Sequence, residues 1–115
     1  MNAITNLISN VGEDLVSSYD LSKGAKTIFK EVLFSFGISL SASWGATTGT
    51  VSVAFYGSND GATTNKTALK TLTVTTGAGS DGFDYAASFG YKYIVAVITA
   101  TGASGYLILL SNEKK

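Results

Sequence analysis

Apolar and polar side chains alternate over most of this chain, and a period of two admits a strand where a period of 3.6 would admit a helix. The clearest run is KTIFKEVLFSFGISLSASW, Lys26 to Trp44. It places Val32, Phe34, Phe36, Ile38 and Leu40 on one face, with Leu33, Ser35, Gly37, Ser39 and Ser41 on the other. TVSVAFYG repeats the pattern with Val51, Val53 and Phe55 inward, and ALKTLTVTT offers Leu69, Leu72 and Val74 with one irregular step. YKYIVAVITA is apolar on both faces, as expected of a central strand, and GYLILLS closes the set. DLVSSYDLS predicts a first short strand over Leu15 to Tyr19, and GFDYAASFG an edge strand carrying Phe83 and Tyr85. The clusters GATTGT, GSNDGATTN, TGAGSDG and TGASG separate these segments and read as turns. About seven or eight short strands at this spacing predict an all-β fold, an antiparallel β-sandwich of the jelly-roll or discoidin-like kind. Its expected core is Val32, Phe34, Phe36, Ile38, Val51, Val53, Phe55, Tyr93, Val95, Val97, Leu107 and Leu109.

The first residues follow a different period. Ala3, Ile4, Leu7, Ile8 and Val11 fall at helical spacing, so residues 1–12 are expected as a short helix or arm ahead of a sandwich over 13–115. Three turns of helix are marginal alone in water. Ile4, Leu7, Ile8 and Val11 are therefore candidate subunit contacts, with the chain's own sandwich as the other surface they could cover.

Composition removes whole classes of function. Histidine and cysteine are absent, which takes away the commonest general base, the commonest transition-metal ligand and any disulfide. Eight acids balance eight basic residues, all of them lysine, so the chain has neither the excess of positive charge nor the arginine forks that nucleic-acid binding uses. No nucleic acid, cofactor or metal is expected as a partner. Glu13, Asp14, Asp20, Glu31, Asp60, Asp81, Asp84 and Glu113 lie mostly in turns or at segment ends, and no base stands ready to activate a serine or threonine except a lysine. An enzyme is not expected. The longest apolar stretch, YIVAVITA, is far too short to cross a bilayer, so no membrane association is expected either. Only 14% of residues are charged, against roughly 25% in an average soluble domain. Low charge and a neutral balance favour association over repulsion, which predicts a homo-oligomer or lattice component.

One loop deserves weighing against these exclusions. Ser58-Asn59-Asp60-Gly61 could offer a carboxylate and an amide to a ligand, but calcium takes six to eight oxygens and the loop cannot supply them alone. Asn, Asp and Gly are also the residues that turns favour. Trp44, Asn59 and Asp60 are the candidate loop contacts.

The order of these pieces, TGTVSVAFYGSNDGATTNKTALKTLTVTTGAG followed by YKYIVAVITATGASGYLILL, resembles discoidin-like (galactose-binding-like) β-sandwich domains over roughly Ile28 to Leu110. Two departures stand out. No Trp follows the Asn-Asp-Gly turn, and the late strand reads Tyr91-Lys92-Tyr93-Ile94-Val95 where relatives carry arginines. Small sandwiches of this kind recur in the virions of tailed bacteriophages. The resemblance therefore implies a non-enzymatic virion protein, made in the host cytoplasm. It would be a capsid decoration (cement) or tail accessory protein bound to major capsid or tail proteins. The alternative it implies is a carbohydrate-binding adhesion module with a glycan as partner.

Overall fold

The computed structural model describes residues 2–9, 15–32, 35–60 and 66–114. Seven strands form one antiparallel sheet: β1 (Asn2–Asn6), β2 (Tyr19–Asp20), β3 (Lys26–Glu31), β4 (Gly37–Ser58), β5 (Lys66–Val74), β6 (Gly77–Tyr85) and β7 (Tyr93–Lys114). The two 22-residue strands, β4 and β7, pair along their whole length, from Gly37↔Lys114 to Ser58↔Tyr93. This long ribbon bends once, where the register slips between Gly45 and Thr50, and the bend folds the sheet into a sandwich. One half, leaf A, runs β1 and β2, then the C-terminal part of β7, the N-terminal part of β4, and β6. The other, leaf B, runs β3, the N-terminal part of β7, the C-terminal part of β4, and β5. The all-β antiparallel sandwich is the architecture expected.

Glycine makes the bend possible. Gly49 has φ +81 and Gly105 φ +100, a region L side chains avoid, and a Cβ at Gly105 would stand 2.7 Å from the carbonyl oxygens of Gly45 and Ala46. The turn-like clusters GATTGT and TGASG therefore do not end strands; they are the corner inside two continuous ones.

Inward rows from both leaves meet in one core: Ile38, Leu40, Ala42, Trp44, Leu107 and Leu109 from leaf A, and Ile28, Val51, Val53, Phe55, Leu72, Ile94 and Ile98 from leaf B. At the end away from the corner, the buried Glu113 carboxylate on β7 pairs with the Lys30 ammonium on β3, tying leaf A to leaf B. Beside it Phe89 plugs the opening, its ring edge-on to Tyr85 and Tyr91 and its N–H donated to the Ser35 carbonyl at 2.9 Å. Near the corner Asp20 caps the 3-10 turn Leu21–Lys23. The Ser22 hydroxyl and amide both donate to its carboxylate and hold it below the usual range.

Several expectations are corrected. Residues 2–6 form strand β1 on the edge of β7 rather than a helix. A ladder to an existing edge satisfies backbone groups that a three-turn helix must fix at its own entropic cost. The long run from Lys26 divides into β3 and β4 on different leaves, and its phase slips between them. Ser35 is buried and Phe36 is 56% exposed, because the Ser35 hydroxyl donates to the carbonyls of Gly37 and Lys114 and turns the neighbouring ring outward. Phe34 lies outside the described residues. TGAGSDG is not a turn but most of β6. Of Leu15 to Tyr19 only Tyr19 enters a strand, while Leu15 and Val16 are exposed. Tyr93 and Val97 are half-buried, since they point away from the core.

Candidate functional site

β7 carries the feature that sets this sandwich apart. In leaf B its inward residues are Ile94, Ala96 and Ile98, so Tyr93, Val95 and Val97 face outward. In leaf A the inward residues are Leu107 and Leu109, and Tyr106, Ile108 and Leu110 face outward. A sheet with one solvated face ordinarily puts polar residues there. Here both outward rows of the central strand are apolar.

The neighbours in register extend both rows. Val95 stands between Phe29 on β3 and Tyr56 on β4, and Val97 between Thr27 and Ala54. Phe29 is half exposed and meets Tyr93 edge-on at 6.2 Å. Val95 has no exposed surface although it lies outside the main core, so the flanking aromatics close over it. On leaf A, Ile108 and Leu110 lie beside Ser43 and Ser41 on β4, which lead on to Ser80 and Gly82 on β6. Exposed Ile4 sits in register with Asn112 on the same face.

The residues singled out in the sequence do not come together. Leu7 is 2% exposed, packed in the core of its own chain, with its N–H donated to the Leu109 carbonyl; that corrects its reading as a subunit contact. Ile8 packs half-buried against the same core. Val11 lies outside the described residues. Trp44 is 5% exposed and packs inside the sandwich, not in a loop, because its alternation phase puts it opposite Leu107. Asn59 accepts from the Lys92 amide at 3.2 Å, and Asp60 accepts from the Ser58 hydroxyl at 2.9 Å. Both side chains thus hold the local chain path.

No catalytic arrangement emerges among the described residues. A groove of about 230 Å³ on leaf A, at the end away from the corner, is lined by Phe36, Ser39, Asp84, Tyr85, Asn112 and Lys114 among others. Its single carboxylate, Asp84, accepts from the Ser39 hydroxyl at 2.7 Å. Cleavage of a glycosidic bond by paired carboxylates needs a second, which the lining lacks. Among the described residues, no three His, Cys, Asp or Glu side chains gather to hold a metal ion, and no helix is long and apolar enough to cross a membrane.

Sequence alone does not reveal the outward rows, because the two apolar faces of YKYIVAVITA equally predict a central strand buried on both sides. The signal was present in GYLILLS as well, whose Ile108 and Leu110 continue the two-faced apolarity.

No family model matches the chain, and no curated protein is similar to it. Solved structures are similar in fold. A protein of the Bacillus endospore appendages, described as disulfide-linked pili, is 23% identical with a TM-score of 0.53, over 99% of this chain and 90% of that one. Murine APRIL is 11% identical with a TM-score of 0.61, over the full length of both. The K1 adhesin domain of Lys-gingipain from Porphyromonas gingivalis W83 is 17% identical with a TM-score of 0.57, over 97% of this chain and 73% of that one. At these identities the likeness is one of fold.

Proposed function

We propose that this protein is a non-enzymatic structural subunit that acts through protein–protein contacts, and that its place is the virion of a tailed bacteriophage, as a capsid decoration or tail accessory protein. The observation that carries the reading is the pair of apolar outward rows on β7. A two-layer sandwich working alone in water would leave Tyr93, Val97, Ile108 and Leu110 partly wet, at about 25 cal/mol for each Å² of apolar surface a partner would cover. With 14% charged residues and a net charge of zero, the surface offers little repulsion to oppose that contact. The same fold in a protein of pili supports its compatibility with repeated assembly. The virion placement draws on the resemblance of the sequence from Ile28 to Leu110 to discoidin-like domains.

The test is immunogold labelling of purified particles with antibody raised against this chain. Regular decoration of heads or tails supports the virion placement. Particles that carry none of the chain, under conditions in which it is expressed, overturn that placement.

A further inference from the structure

Asp81 and Gly82 are neighbours in β6, and both are exposed. β6 pairs with β4 on one side and, among the described residues, with no strand on the other. The Gly82 N–H donates to Oδ1 of Asp81 at 2.8 Å. A hydrogen bond between such close neighbours folds the aspartate side chain back along the main chain and lays its carboxyl carbon against the next nitrogen. Those two atoms, with Cβ, Cα and the carbonyl carbon of Asp81, are the members of a five-membered imide ring. Holding the reacting groups in contact removes much of the entropic barrier to closing it. Gly82 adds no Cβ to crowd the approach, and its backbone adjusts more freely than that of any other residue.

Other aspartates are engaged differently. Asp20 accepts from the hydroxyl and amide of Ser22, and the residue after it, Leu21, is buried. Asp84 accepts from the Ser39 hydroxyl, and the residue after it, Tyr85, is half-buried against Phe89. Asp60-Gly61 is the chain's second Asp-Gly pair, and its glycine lies outside the described residues.

We propose that Asp81-Gly82 is a site of spontaneous main-chain modification, at which Asp81 closes onto Gly82 as a succinimide and reopens as isoaspartate. The Gly82 nitrogen bonds to Cγ of the protonated Asp81 carboxyl, a C–O bond of that carboxyl breaks, and the amide proton leaves with the hydroxyl as water. Water then opens the ring. Where it attacks the main-chain carbonyl of residue 81, the chain afterwards runs through Cβ and a new carboxylate stands on Cα. The main chain is then one methylene longer, in a strand where Ser80, Asp81 and Gly82 stand opposite Ser43, Ala42 and Ser41. A ladder matched residue by residue takes up an extra backbone atom only as a bulge or a break, so the modification loosens this edge of leaf A.

The test keeps the full chain folded for weeks in mildly acidic buffer at physiological temperature, since water leaves only from the protonated carboxyl. Isoaspartate is located by peptide mapping and by methyl transfer from an isoaspartyl methyltransferase. It is expected to accumulate at residue 81, through a species one water lighter, while Asp20 and Asp84 stay unchanged. Residue 81 is expected to react at least as fast in the folded chain as in urea, because the fold already holds the contact. Asp81→Glu, which would need a six-membered ring, is expected to lose the signal at this position while circular dichroism shows the same strands. Asp81→Asn is expected to close the same ring faster, releasing ammonia instead of water and gaining one negative charge. A folded chain in which residue 81 stays unmodified, reacts more slowly than in urea, or yields isoaspartate only at Asp60 overturns the proposal. An Asp81→Asn chain whose amide survives the incubation overturns it as well.

Discussion

Replacing Lys30 by Met tests what holds the open end of the sandwich shut. Glu113 is 2% exposed and Lys30 19%, and their ion pair joins β7 of leaf A to β3 of leaf B at the end opposite the bend. Lys30→Met removes the ammonium with which the buried Glu113 carboxylate pairs. Breaking a buried pair from one side costs about 3–5 kcal/mol. We expect about 3 kcal/mol, the low end, because Lys30 keeps part of its stem in water and the carboxylate can borrow that path to solvent. Glu113→Gln should cost less, about 1–2 kcal/mol, since the lysine left behind can extend outward. The double variant Lys30→Met with Glu113→Leu should recover to within about 1 kcal/mol of wild type, because well-packed apolar replacements of buried pairs are often neutral. Urea unfolding, run dilute so that association does not contribute, reads all four corners of the cycle. With a slope of about 1–3 kcal/mol/M, a loss of 3 kcal/mol moves the midpoint by about 1–3 M. A Lys30→Met variant within 1 kcal/mol of wild type would refute the reasoning, as would a double variant no better than the worse single one.

Three further outcomes follow from particular residues. Leu7→Ala should destabilise the isolated chain by about 2–3 kcal/mol in the same assay, since Leu7 lies in its own core; a loss of assembly at unchanged stability would instead make the first strand an intersubunit arm. Gly105→Ala should cost at least about 2 kcal/mol for its positive φ and the carbonyls a Cβ would meet, whereas Gly90→Ala, with open space around it, should stay within about 0.5 kcal/mol. Ser111 is buried on the inner face of leaf A and its hydroxyl has no hydrogen-bond partner, so Ser111→Ala should raise stability by about 1 kcal/mol by thermal or urea unfolding.

Much of the sandwich was legible because burial on one face writes a period of two into a strand. Val51, Val53 and Phe55, and Leu107 and Leu109, were placed correctly on that ground alone. The errors arose where distant contacts decide. Ser35 is buried because its hydroxyl reaches the carbonyls of Gly37 and Lys114 and its own carbonyl accepts from the Phe89 N–H, and nothing near it in sequence marks the two distant partners. The Lys30–Glu113 pair spans 83 positions, so it left no local pattern. GATTGT has the composition of a turn, yet it bends a strand whose ladder resumes beyond it, because β7 bends at the matching TGASG. Ala3, Ile4, Leu7, Ile8 and Val11 have helical spacing, yet the free edge of β7 takes residues 2–6 as a strand in which Thr5 is buried and Ile4 exposed. The outward rows of β7 required knowing that the sandwich has only two layers. Apolar residues on both sides of a strand fit burial in its own fold and burial against another molecule equally well.

The most direct measurement of the central claim is the molar mass of the wild-type chain by light scattering over a rising series of concentrations. The account predicts a mass that climbs well above 11.9 kDa as concentration increases, since covering the outward rows of β7 needs a partner. A mass that stays at 11.9 kDa up to the limit of solubility would contradict it.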